Sequence, residues 1–150
     1  MDDLVRELYQ EVILDHYRHP RNFGRLENEV QAALGDNPLC GDRIEVFVKV
    51  EGGRLQDVRF EGSGCAISTA SASLMTEQVK GRTTEEALAL IQAFHDMVTE
   101  GIQSESLGPL QVFEGVREYP SRIKCAVLAW HALKAALLEQ SGTVTTEAGS

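Results

Sequence analysis

The spacing of apolar side chains changes several times along the chain, and each change predicts an element. Leu4, Val5, Leu8, Val12 and Ile13 recur at helical spacing over 3–18, and Pro20, Asn22 and Gly24 stop the run. A short extended stretch at 29–36 ends at Asn37-Pro38. From 43 to 50 (RIEVFVKV) Ile44, Val46, Val48 and Val50 alternate on one face of a strand, with Phe47 on the other. Gly52-Gly53 turns the chain into LQDVRFEG, so the two strands form an antiparallel hairpin. After Gly62-Ser63-Gly64 the composition shifts to AISTASASLMTEQVKG, a helix that starts near Cys65. Thr83 with Glu86 supplies a capping box for a helix over 84–100. A loop over 101–108, a short helix over 109–118 and an alanine-rich helix from about Tyr119-Pro120-Ser121 to Gln140 complete the pattern.

The sum is an α+β domain: a small antiparallel sheet of about three strands packed on one face by several helices. We expect one domain over 1–140. The tail 141–150 has no apolar periodicity and is expected to be mobile unless a neighbour captures it.

Composition narrows the partners. The chain has 150 residues, and its 43% hydrophobic content suffices for a core without disulfides. A formal charge of -9 disfavours nucleic acid and anionic membranes. There is no apolar run of about 18 residues and no signal-peptide pattern, so a cytoplasmic location is expected. Three cysteines cannot all pair within the chain, and a reducing compartment keeps them as thiols.

Those thiols carry the candidate chemistry. Cys40 follows a proline turn at a strand start, Cys65 sits in GSGC at a helix start, and Cys125 lies early in the last helix. A thiol at a helix N-terminus is acidified by the positive end of the helix dipole. Asp42 is two residues from Cys40, which in extended chain puts both side chains on one face. Three thiolates and a carboxylate form a tetrahedral set for zinc, at about 2.3 Å from metal to sulfur, and an iron–sulfur cluster can use the same ligands. Arg43, Arg122 and Lys124 are candidates to balance the resulting negative charge.

Plainer readings stand beside this one. A buried cysteine is commonly a small core hydrophobe, above all Cys125 on an apolar helix. The glycines can serve a turn alone, and Asp42 can cap a strand or pair with Arg43. Separations of 24 residues between Cys40 and Cys65 and 59 between Cys65 and Cys125 match no zinc-finger spacing. His16 and His19 read as a solvated helix end, His95 and His131 as helix-surface residues, and Met75 and Met97 as core filling.

Four ordered motifs decide between these readings. ILDHYRHPRNFG at 13–24, NPLCGDRIEVFVKV at 37–50, FEGSGCAISTASASLM at 60–75 and RIKCAVLAWHAL at 122–133 resemble the U-type iron–sulfur cluster assembly proteins, the family of IscU, SufU and the N-terminal domain of NifU. The resemblance covers nearly the whole chain and implies a SufE/NifU-like fold. It is nearest the SufU branch: Lys124 stands where IscU proteins carry a histidine, EYPSRIKC replaces the LPPVK-like chaperone segment, and the stretch between Cys65 and Cys125 is long.

The resemblance implies that Cys40, Asp42, Cys65 and Cys125 bind zinc, or alternatively iron or a transient Fe–S cluster. It implies that Cys40 accepts persulfide sulfur from a pyridoxal-phosphate cysteine desulfurase of the SufS type, after a desulfurase histidine takes its place on zinc. The product then passes to a downstream Fe–S carrier or scaffold. It also makes the first helix and the loop around His16, Tyr17 and Arg21 candidates for docking the desulfurase. Alternatives are a scaffold that assembles and passes on a cluster, a structural zinc domain, and a cysteine hydrolase, the last opposed by the lack of a histidine beside these motifs.

Overall fold

The structure, a computed structural model, describes residues 3–26, 30–38, 41–138 and 143–145, with the backbone alone for 3–9 and 143–145. The predicted order is observed through the last helix, and one strand follows it: α1 (Asp3–Arg18), β1 (Gln31–Asn37), β2 (Asp42–Glu51), β3 (Arg54–Ser63), α2 (Ala66–Val79), α3 (Thr84–Glu100), a 3-10 segment (Glu105–Glu118), α4 (Pro120–Leu137) and then β4 (Thr143–Thr145).

β1, β2 and β3 form an antiparallel meander, with Gln31 opposite Val48 and Val48 opposite Val58. Gly52 and Gly53 join β2 to β3 at φ 59° and 76°, the left-handed pair that a two-residue hairpin turn requires. One short strand was not expected: β4, from the segment read as a tail, pairs in parallel with Leu34–Asp36 and makes the sheet order β3-β2-β1-β4.

Ile44, Val46 and Val48 on β2 and Leu55, Val58 and Phe60 on β3 are all fully buried, which is the alternation expected of a strand pair with one core face. α4 packs on β1 and β2, α2 on β3 and α4, and α1 on α2. Gly35 lets α4 settle close, because a Cβ there would stand 3.1 Å from the side chain and carbonyl of Leu128. Phe94 of α3 stacks on Trp130 of α4 at 4.4 Å between ring centres, with Phe113 edge-on to Phe94. Met75 and Met97 are buried, as read from the sequence. On the opposite sheet face the guanidinium of Arg25 covers Phe47 at 4.8 Å and pairs with Glu61 at 2.6 Å.

Two loops close over β3. Phe60 donates to the carbonyl of Asn22 and accepts from Gly24, while Leu55 donates to Arg82 and accepts from Gly81. The N–H of Val58 is held by the Asp57 carboxylate at 2.9 Å.

Two expectations need correction. The helical turns after α3 begin at Glu105, because the Ser104 hydroxyl caps them, and break at Gly108 (φ 50°, ψ -126°). α4 is described to Leu137, and its expected end near Gln140 lies outside the described residues. His16 is not solvated but 6% exposed: its Nδ1 lies 2.7 Å from the Ser73 hydroxyl on α2, whereas His19 stays in solvent. Among the described residues no helix is long and apolar enough to cross a membrane.

Candidate metal centre

The start of β2, the start of α2 and the second turn of α4 meet at one point. Asp42 is the first residue of β2, Cys65 caps α2, and Cys125 is the sixth residue of α4. One carboxylate oxygen and the two Sγ atoms all lie within 4.8 Å of one another, and this is the one such group of three or more His, Cys, Asp or Glu among the described residues. Cys40, two residues before Asp42 in the chain, lies outside the described residues.

Close approach of backbone makes the meeting possible. Gly62 sits opposite Ile44 at φ 140°, where a side chain would run into the Arg43 carbonyl. Gly64 leaves space rather than bending the chain: a Cβ there would collide with the Ser68 hydroxyl and come within 2.9 Å of Asp42 Oδ1. That oxygen accepts the Cys65 N–H at 2.9 Å, tying the strand to the helix cap. Cys65 Sγ accepts the Ser68 N–H at 3.5 Å, the usual cap bond with sulfur in place of oxygen. A buried relay fixes the third partner: Trp130 Nε1 donates to Ser71 Oγ (3.0 Å), which donates to the carbonyl of Ala126 (2.6 Å), the residue after Cys125.

The site is recessed. Asp42 is 1% and Cys125 2% exposed, with Cys65 half-buried, because α4 packs on β2 and the cap of α2 is hydrogen-bonded to the start of that strand. The hydrogen bond from Cys125 holds the Cys65 thiol down at about 6, helped by Ser68 and opposed by burial and the Asp42 charge. The same bond, burial and the neighbouring negative charge push Cys125 upward. Cys65 is therefore the first thiolate and Cys125 holds the shared proton.

Asp42 Oδ2 is buried and, among the described residues, has no hydrogen-bond partner. An orphaned buried carboxylate oxygen is costly unless something electropositive meets it. With two sulfurs beside it, the donor set fits zinc or iron. Of the candidates to balance charge, Arg43 and Arg122 are exposed and Lys124 is half-buried. Sequence reasoning missed Ser68 and Ser71. The position of Ser68, three residues after a capping Cys65, carried a usable signal, whereas the link of Ser71 to Trp130 and Ala126 depends on how two helices cross.

Comparison with known proteins agrees with this geometry. The family described as NifU-like N terminal domain matches residues 8–146. The zinc-dependent sulfurtransferase SufU of Bacillus subtilis (strain 168) is 44% identical over 137 residues, covering 90% of this chain and 92% of that protein. The iron-sulfur cluster assembly scaffold protein IscU of Streptococcus pyogenes serotype M1 is 44% identical over 135 residues, covering 89% and 84%. Among solved structures, a nitrogen-fixing NifU-like protein (N-terminal) from Brucella abortus superposes with a TM-score of 0.81 at 26% identity, over 91% of this chain and 96% of that one. Sheet, helix order and thiol cluster thus have one explanation: the chain belongs to the NifU-like N-terminal domain family, on its SufU-like branch.

Proposed function

We propose that this protein works in iron–sulfur cluster assembly as a zinc-holding sulfur acceptor. The observation that carries the reading is the convergence of Asp42, Cys65 and Cys125 within 4.8 Å, with one carboxylate oxygen left unpartnered among the described residues, in a chain 44% identical to a zinc-dependent sulfurtransferase. Cys40 completes the set of four ligands. Zinc, when bound, supplies the positive charge that keeps its thiol ligands deprotonated.

The chain's own residues do the rest. Asp42 holds the Cys65 N–H, so the α2 cap and the start of β2 move as one body. The sulfur donor is a persulfide on a pyridoxal-phosphate cysteine desulfurase of the SufS type. The Cys40 thiolate attacks its outer sulfur, a new S–S bond forms on Cys40, the old S–S bond breaks, and the desulfurase thiolate leaves. The sulfur then passes to an Fe–S scaffold or carrier. Leu14 and Tyr17, 39% and 44% exposed on α1, offer the desulfurase an apolar contact, while the buried His16 holds α1 to α2 instead. The chain acts as one domain that takes in β4 as well as residues up to 140, in the cytoplasm.

The test is to incubate the zinc-loaded chain with cysteine and a cysteine desulfurase and to locate added sulfur by mass spectrometry. One extra sulfur on Cys40, absent in a folded Cys40→Ala variant and reduced by chelator, is expected. Equal labelling of Cys40→Ala, or of chelator-treated protein, overturns the reading. The equally similar scaffold from Streptococcus pyogenes favours a second reading, in which the same side chains hold a cluster as cargo. Anaerobic reconstitution giving a cluster that transfers intact to an apo-ferredoxin would select it.

A further inference from the structure

His95 and His131 do not take part in the thiol centre. They lie on neighbouring helices, α3 and α4, with ring centres 6.3 Å apart and planes inclined by 31°. His131 is six residues beyond Cys125, about 9 Å along the helix axis. Each histidine directly follows a member of the buried Phe94–Trp130 stack, whose rings are 4.4 Å apart and 11° from parallel. The helix spacing beneath the two imidazoles is therefore set by a packed aromatic pair and not by the imidazoles themselves.

We propose that His95 and His131 form a second metal site, for a borderline divalent cation of the Ni2+, Cu2+ or Zn2+ class. Two imidazoles that each give one nitrogen at about 2.0–2.1 Å bracket an ion with ring centres on the order of 5–6 Å apart, so a small rotation about side-chain bonds closes the observed pair on a metal. Asp96 Oδ1 stands 3.8 Å from His95 Nδ1 and is held there by Gln92 Nε2 at 2.9 Å. At 3.8 Å the carboxylate is beyond hydrogen-bond reach, but its charge on that side favours the proton on Nδ1 and leaves Nε2 to bind. His131 is half-buried, and burial, with the charges of His95 and Lys134, lowers its pKa and keeps it in the neutral, metal-competent form. Two protein nitrogens leave the remaining positions to water, so the site takes up and gives back its ion readily.

Nickel distinguishes this site from the thiols, because thiolate ligation gives intense near-ultraviolet charge-transfer absorption and imidazole ligation does not. The full chain, with one equivalent of zinc added first, is titrated with Ni2+ by calorimetry while absorbance is followed. One Ni2+ is expected to bind without the charge-transfer band. His95→Gln and His131→Gln are each expected to weaken it at least tenfold, and the exposed control His19→Gln to leave it unchanged. His95 is 46% exposed on its side chain, so the His95→Gln variant tests the site without a folding defect. No binding by the native chain, unchanged binding in His95→Gln, loss in only one of the two variants, or a band showing that nickel has entered the thiol centre would each overturn the proposal. None of these outcomes bears on whether Cys40 accepts sulfur.

Discussion

A methyl group at position 64 would have no free space, since it would meet the Ser68 hydroxyl and the Asp42 carboxylate together. Gly64→Ala is therefore expected to push both out of place and lower zinc affinity by roughly 10- to 100-fold, the range seen when groups supporting metal ligands are disturbed. Competition against a chromophoric chelator measures the loss, and unchanged helical circular dichroism separates it from unfolding. Ser71→Ala removes the acceptor of a buried Trp130 N–H and should cost about 1–3 kcal/mol in urea unfolding, with Cys125 then less firmly placed against Cys65. At this scale the sequence was informative about which residues matter and poor about why. GSGC announced that room was needed beside Cys65. The atoms needing it, Ser68 Oγ and Asp42 Oδ1, come from separate elements and could not be named from spacing.

Among the elements, those with their own punctuation were legible. The Thr83–Glu86 capping box starts α3 where expected, with Thr83 accepting from Glu86 N and Glu86 accepting from Thr83 N. Gly52-Gly53 fixed the hairpin for the same reason. The turns at Glu105–Glu118 were legible only from 109 onward, although Leu107, Leu110, Phe113 and Val116 recur every third residue on the buried side, and the pairing of β4 was not legible, since three residues carry no periodicity of their own. His16 was misread because a histidine near a helix end looks solvated until a second helix covers it. It now links α1 to α2, beside Arg21, whose N–H also reaches Ser73 Oγ at 2.9 Å. Burial first, then the Arg21 charge, lowers the His16 pKa below 6.5, against the opposing pull of Glu77 and Asp15. A lowered folded-state pKa means that the unfolded chain takes up the proton first. The His16 contribution is thus complete above about 6.5 and is lost as pH falls. Urea midpoints at pH 7.5 and 5.5 should differ more for the native chain than for His16→Gln, and equal differences would show that the histidine is not linked to folding.

The whole molecule combines an acidic surface, with a formal charge of -9, and an aromatic centre at Phe94, Phe113 and Trp130. Trp130 is the single tryptophan of the chain and is fully packed, so its fluorescence reports the core while far-ultraviolet circular dichroism reports helices throughout. If the chain is one cooperative unit, both signals should follow a single coincident urea transition; two separate midpoints would divide it into independent parts. The closure of β3 bears on how such a molecule meets others. Its N–H groups at Leu55, Val58 and Phe60 are already engaged by Arg82, Asp57 and Asn22, so these three positions offer a foreign strand no free donor. Growth into sheet-like fibres through these positions is disfavoured, and a visitor there is recognised through side chains.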